Sequence, residues 1–334
     1  LPFFLFLYAV VCHNISVNYN PVHMFNNTES KSIWNNGKFV KWDDSLVHLM
    51  SHTLNYGTGA FEGVRAYKTD KGPAIFRLHD HTNRLYSTAK KIDIDIPFTK
   101  DILNNVQKDI FLKNNLDEGY IRPIVYLGAE SLGIRAFDLS VNVAVAAWEW
   151  PSYMDPEAKE KGISIIKSSH EQYSNPLHSG NKIIGTYINS TMALHEAIKK
   201  GADEALLMDK DGYISEGSGE NIFMVKDNKI FTPTTNHCLN GITRQSVITI
   251  ASDEGFEVIE KNLIYEDLVN CDEAFFTGTA VEITPITKLD NQLIGSGKRG
   301  EVTQKLQSIY AGAISGKSDK YSSWLTYVSP KVCD

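Results

Sequence analysis

Apolar and polar positions alternate over residues 33–42 (IWNNGKFVKW) on both sides of Asn36-Gly37. This predicts a β-hairpin, because Asn-Gly readily takes the two left-handed conformations of a two-residue turn. A short apolar run at 74–78 predicts a strand, and 79–91 and 99–114 predict helices. In the second helix Ile102, Val106 and Ile110 recur at four-residue spacing and predict one buried face. Residues 119–128 (GYIRPIVYLG) and 141–150 (VNVAVAAWEW) read as strands. A strand at 163–168 follows, then a polar loop at 170–181 and a helix that ends near Lys200, with Gly201 able to close it in the left-handed region. Strands are predicted at 204–209, 220–226, 230–233, 256–260, 273–277 and 282–289, and helices at 243–254 and 301–314. Strands and helices mix without strict βαβ alternation, so the fold class is α+β rather than a doubly wound parallel sheet.

The 334 residues suggest two domains. The stretch 151–162 (PSYMDPEAKEKG) carries two prolines and a run of charges, and is read as a linker between a small N-terminal α/β domain at 32–150 and a larger domain at 163–328. Residues 1–31 are a leader and 329–334 a tail. The apolar stretch 1–12 (LPFFLFLYAVVC) is too short for a span of about 20 residues, and no Lys or Arg precedes Lys31 to form the charged start of a signal peptide. The leader is expected to be disordered or non-native, with Met24 a plausible start.

Charge and cysteine usage narrow the partner. Lys and Arg total 33 against 40 Asp and Glu, a net charge of −7, and no basic run occurs. That argues against nucleic acid and for a small-molecule ligand. The four cysteines, Cys12, Cys238, Cys271 and Cys333, are far apart, which suggests neither a disulfide scaffold nor a zinc site and suits a reducing, cytoplasmic setting. No metal-ligand spacing, P-loop, dinucleotide fingerprint or G-x-S-x-G elbow is present.

Four segments could carry chemistry. Lys182 stands in S-G-N-K-I-I-G, among small and apolar neighbours. Loss of hydration there would favour the neutral amine, a nucleophile toward carbonyls, although most lysines are solvated and inert. In Y-I-S-E-G-S-G-E-N-I-F (213–223) Glu216 and Glu220 alternate with glycines. A buried carboxylate needs a partner, and one facing a heteroaromatic nitrogen would keep it protonated; alternatively this is a glycine-rich turn with exposed acids. L-N-G-I-T-R (239–244) opens a helix, where free N–H groups bind anions, and F-T-G-T-A-V-E (276–282) is a small-residue turn able to form an anion nest. Each can equally be an ordinary cap or turn.

Taken in order, Y-G-T-G-A-F-E-G-V-R-A-Y (56–67), N-R-L (83–85), Y-I-R-P (120–123), Lys182 with Tyr187, E-G-S-G-E-N (216–221), G-I-T-R (241–244) and G-T-A-V-E-I-T-P (278–285) closely resemble the class IV pyridoxal-phosphate aminotransferases, within them the bacterial branched-chain group. The resemblance covers about residues 32–328. It implies a two-domain fold with a C-terminal pseudo-barrel. It also implies that Lys182 binds pyridoxal 5'-phosphate as a Schiff base and serves as base and acid, that Tyr187 bonds the ring oxygen, and that Glu216 pairs with the ring nitrogen. Arg84, Ile242, Thr243 and Thr279 would hold the phosphate. Tyr120 and the Thr279-Ala280 backbone would take the substrate α-carboxylate, and Arg122 the side-chain carboxylate of glutamate. Tyr56, Phe61, Gly63 and Tyr153 would form the apolar pocket, with Tyr56 reaching the site of a second subunit in a homodimer.

The implied activity is transfer of the amino group of L-leucine, L-isoleucine or L-valine to 2-oxoglutarate, with amino acids and 2-oxo acids as partners and neither nucleic acid nor membrane. A D-amino acid aminotransferase and a 4-amino-4-deoxychorismate lyase share the fold; F-E-G-V-R-A-Y together with Y-I-R-P favours the branched-chain group. Two readings from other classes are a non-catalytic binder of a phosphorylated ligand, which would not need Lys182, and an exported protein using residues 1–12. Ile183, Ile184, Thr186 and Asn240 depart from the family pattern and remove no catalytic group.

Overall fold

The hairpin forms as the alternation predicts. Ser32–Asn35 pairs with Lys38–Lys41, and Asn36 and Gly37 between them take φ of 48° and 91°. The computed structural model describes residues 31–150 and 157–328. The leader up to residue 30, the 329–334 tail, the first half of the 151–162 segment and Tyr153 within it lie outside the described residues.

Two sheets make the framework. In the first, the strand order is Leu325–Tyr327, Ala74–Phe76, Val64–Tyr67, Gly119–Leu127, Val141–Trp148, Ser32–Asn35, Lys38–Lys41, with Gly59–Phe61 also pairing on Gly119–Leu127. Every pairing in it is antiparallel. Leu325–Tyr327 thus joins the same sheet as Ser32–Asn35, nearly 300 positions earlier in the sequence. Leu325 pairs with Phe76, and the Val328 N–H donates to Pro73 O at 2.8 Å.

The helices Leu78–Lys91 and Lys100–Lys113 pack on this sheet through Leu85, Leu103, Val106, Ile110 and Phe111. Thr99 caps the second, accepting the Ile102 N–H at 3.2 Å. The expected Ile102–Val106–Ile110 face is corrected: Ile102 is 43% exposed, and Leu103, Val106, Ile110 and Phe111 form the buried stripe. A four-residue step advances about 400°, so successive steps drift off a face that mixed three- and four-residue spacing keeps.

The second sheet runs Ile214–Gly217, Glu204–Met208, Ile163–Glu171, Glu282–Leu289, Glu273–Gly278, Asn221–Lys226, Lys229–Thr232, Val258–Glu260, with Gln292–Leu293 paired on Glu282–Leu289. Parallel pairs (Ile163–Glu171 with both neighbours, Lys229–Thr232 with Val258–Glu260) sit among antiparallel ones. The mixture is the expected α+β class. Helices Ile242–Asp253 and Glu301–Ile314 cover it, and their apolar faces join Phe223, Phe275 and Tyr310 to Tyr67 and Phe76 of the first sheet in one core.

Several elements leave no alternation to read. Gly59–Phe61 and Val64–Tyr67 lie in a glycine-rich stretch, and all four residues of Ile214–Gly217 are buried, so neither face is polar. In the described part of the 151–162 segment, a single turn of helix forms at Ala158–Lys161. Among the described residues no helix is long and apolar enough to cross a membrane.

Candidate active site

Lys182 is held where the two sheets meet. Its carbonyl accepts the Phe61 N–H at 3.1 Å, and the next residue, Ile183, bridges to Ala60. Just beyond, Gly57 and Gly185 come into backbone contact: the Gly185 N–H donates to Gly57 O at 2.9 Å. Gly57 takes φ of 72°, and a Cβ there would lie 2.5 Å from Gly185 Cα, so only glycine permits this approach. The lysine side chain turns inward. Nζ donates to Tyr187 Oη at 2.6 Å and lies 5.2 Å from the centre of the Phe61 ring. Burial first, and then the nearby Arg84 charge, lower the Lys182 pKa below its ordinary 10.5. Burial raises that of Tyr187, so its hydroxyl keeps its proton. The Lys182–Tyr187 spacing follows from the break at 184–186, after which Tyr187 begins the helix Tyr187–Lys199.

Glu216 projects from the fully buried strand Ile214–Gly217. Its Oε1 accepts from Gln172 Nε2 at 2.7 Å, and its Oε2 from the Leu239 N–H at 3.1 Å and Asn221 Nδ2 at 3.4 Å. All three donors are neutral. Burial therefore prevails and raises its pKa to about 7. A carboxyl whose folded pKa exceeds its unfolded value loses stability as pH rises through that interval, here about 4.5 to 7. We predict that the stability difference between the apoprotein and its Glu216→Ala variant, read by urea unfolding, shifts against the unsubstituted protein by about 2–3 kcal/mol between pH 5 and pH 8. A flat difference contradicts the assigned titration.

Arg84 closes the opposite end. Its Nε and Nη2 donate to the two oxygens of Glu62 at 2.6 and 2.9 Å, and its Nη1 to Asn240 O at 3.3 Å. Glu62 is fully buried, and its Oε2 also meets His81 Nδ1 at 2.8 Å. Burial lowers the His81 pKa, so the ring is neutral at pH 7 and must donate Nδ1–H to the carboxylate.

Arg84 and Lys182 line a cavity of about 460 Å³ with Gly63, Tyr120, Ile242, Thr243, Thr279 and Ala280. The helix Ile242–Asp253 opens onto it from Gly241, bringing first-turn N–H groups that have no partner within the helix. Thr277 Oγ1, on the same wall, is buried without a hydrogen-bond partner. Glu216 and Tyr187 line an adjoining cavity of about 440 Å³ that shares Gly219, Asn221 and Leu239 with the first.

Most of the residues singled out in the sequence therefore converge. Gly63 is required by packing, since a Cβ would fall 1.7 Å from Tyr120 Oη. The Arg122 guanidinium lies 4.8 Å from the centre of the Phe61 ring and 5.4 Å from that of Tyr120, with Nε buried and unpartnered. Tyr56 stands apart: it is half-exposed and lines a different cavity with His52 and Phe137. Sequence reasoning missed Glu62, His81, Gln172 and Thr277. Glu62 carried a signal, an acid amid the small and apolar residues of G-A-F-E-G-V. Gln172 carried none, because strand pairing alone brings it to Glu216.

The two sheets thus meet at a half-buried lysine, opposite an arginine and a helix N-terminus. Residues 59–289 match the profile of the amino-transferase class IV family, and the chain belongs to that family. The chain is 48% identical over 297 residues to the branched-chain-amino-acid aminotransferase of Pseudomonas aeruginosa, covering 89% of this chain and 97% of that protein. It is 40% identical over 300 residues to the protein of the same name from Escherichia coli K12, with 89% and 97% covered. Among solved structures, the T.th. branched-chain amino acid aminotransferase with pyridoxamine 5'-phosphate superposes with a TM-score of 0.87 at 43% identity, over 90% of this chain and 99% of that one. A structure of the same T.th. enzyme complexed with N-(5'-phosphopyridoxyl)-L-glutamate matches with a TM-score of 0.86 at 43% identity, over the same shares.

Proposed function

We propose that the protein transfers the amino group of L-leucine, L-isoleucine or L-valine to 2-oxoglutarate, giving glutamate and the branched-chain 2-oxo acid, with pyridoxal 5'-phosphate as its cofactor. The observation that carries this reading is one continuous site: a half-buried lysine bonded to a tyrosine hydroxyl, a buried glutamate on neutral donors, and an arginine beside a helix N-terminus.

The residues fit that cofactor. Thr277 Oγ1 is a buried oxygen awaiting a partner, and a Cβ on Gly219 would meet no atom within 4 Å, so open space lies beside the cavity wall. Arg84, Ile242, Thr243 and Thr279 would hold the phosphate, Tyr187 the ring oxygen, Glu216 the ring nitrogen and Lys182 the aldehyde carbon. When bound, the pyridoxal ring withdraws electrons from the substrate carbon that carries the amino group, which makes its hydrogen acidic.

The chain's own residues do the rest. Lys182 Nζ takes that proton and returns it; its lowered pKa keeps more of the amine free to do so. Tyr187 and Phe61 fix the approach of Nζ. Tyr120 Oη and the Thr279-Ala280 backbone would receive the α-carboxylate. Arg65 steadies that turn, its Nη1 donating to Ala280 O at 3.3 Å and pairing with Glu282 at 3.1 Å. Phe61 and Tyr120 present an apolar surface, while Arg122, which rests on their rings, can pair with the distal carboxylate of glutamate. One pocket can thus serve both halves of the reaction. A methylene is worth about 1–3 kcal/mol of discrimination there, so all three branched amino acids should be accepted.

The homodimer belongs to the same reading. Exposed Leu46, Leu49, Leu54 and Tyr56 form an apolar edge that a second copy would cover. Free, buried Cys238 and Cys271 suit a cytoplasmic setting. The test is to supply pyridoxal phosphate, L-leucine and 2-oxoglutarate and measure glutamate. Glutamate should form with L-leucine, and D-alanine and 4-amino-4-deoxychorismate should give no turnover. No glutamate from L-leucine would refute the proposal.

A further inference from the structure

Glu216 is placed as much by a residue outside the recognised motifs as by its own strand. Glu216 pairs with Leu207 on one side of the strand Glu204–Met208, while the Gln172 N–H donates to Met208 O at 2.8 Å from the other. The two side chains therefore flank one strand end and meet beyond it, Nε2 to Oε1 at 2.7 Å. Gln172 is 8% exposed and cannot turn over. Its Oε1 already accepts the Tyr173 N–H at 2.8 Å, so reversing the amide would break that bond and set oxygen against oxygen.

The chemistry of the donor matters as well as its position. A lysine or arginine here would form an ion pair with Glu216 and satisfy the carboxylate before any ring nitrogen arrived. The amide orients the carboxylate and leaves its charge available. We propose that Gln172 is a positioning residue that fixes the Glu216 carboxylate as the acceptor for the cofactor's ring N–H, without neutralising it. The inference rests on the functional reading above and gives Gln172 a role that acts through Glu216.

The test compares binding of two probes to the apoprotein: pyridoxal 5'-phosphate, and its 1-deaza analogue with carbon in place of the ring nitrogen. Dissociation constants are read from quenching of protein fluorescence, for the unsubstituted protein and for Gln172→Leu and Gln172→Glu. The unsubstituted protein should favour the nitrogen-bearing probe. Both variants should lose about tenfold of that preference, as expected for one bond to a charged group, with the deaza constant moving less than about twofold. Gln172→Glu keeps the size of the side chain, so a packing defect in Gln172→Leu does not obscure the result. Equal weakening of both probes, or an unchanged preference, overturns the positioning role alone. Failure of the unsubstituted protein to bind either probe overturns the functional reading itself.

Discussion

Replacing Lys182 with alanine is expected to lower transamination of L-leucine with 2-oxoglutarate by at least about a thousandfold, the scale of a positioned acid–base group combined with loss of the covalent anchor. The fold should persist. Lys182 is half-buried; desolvation and the nearby Arg84 and Arg122 charges disfavour its ammonium form, and Glu62 and Tyr120 only partly offset this. A lysine whose folded pKa lies below its ordinary value costs stability at neutral pH, a cost relieved as pH rises toward 10.5. The alanine variant should therefore unfold at no lower urea concentration than the parent at pH 7, after allowing for the Tyr187 hydroxyl bond it loses. Borohydride reduction of the parent with pyridoxal phosphate should fix the cofactor on Lys182, as peptide mass mapping would reveal. A variant that keeps full turnover would remove Lys182 from the mechanism.

The largest stability effect is expected at Glu62. Its carboxylate is fully buried and takes two N–H bonds from Arg84 and one from His81. Burial alone would push its pKa up, but the Arg84 charge and the His81 and Arg84 hydrogen bonds overcome this and hold it far below the ordinary 4.5. Glu62→Ala leaves the half-buried Arg84 guanidinium without its carboxylate partner, and breaking such a pair costs about 3–5 kcal/mol when fully buried. The loss should be seen in urea at pH 7. Because the folded pKa is depressed, Glu62 contributes its full stabilisation above about pH 5 and loses it only as pH falls toward strong acid. The gap between parent and variant should accordingly stay constant from pH 6 to 8. A change under 1 kcal/mol would mean that Arg84 finds another partner and that Glu62 does not govern it.

How much of this was legible in the sequence depends on what each residue's neighbours are. The Asn36-Gly37 hairpin and the helix Glu301–Ile314 are local and can be read directly. Lys182 stands out because its flanks are small and apolar, and that environment is what the fold preserves. The strand Ile214–Gly217 cannot be seen, since burial on both faces erases alternation. Ile102 falls on the wrong face when a simple four-residue step ignores the drift of a 3.6-residue helix. The site's supporting residues are hidden for a deeper reason. Glu62 and Arg84 are 22 positions apart and Gln172 and Glu216 are 44 apart; the first pair meets where the helix Leu78–Lys91 packs by the sheet, the second through strand order.

The return of Leu325–Tyr327 to the strand Ala74–Phe76 has a bearing on biosynthesis. Leu325–Tyr327 follows its partner by about 250 positions, so during synthesis Ala74–Phe76 keeps an open row of amides until that segment emerges. Loss of Leu325–Tyr327 should therefore injure the sheet that holds Ala74–Phe76 and Ser32–Asn35, about 250 or more positions upstream of the lesion.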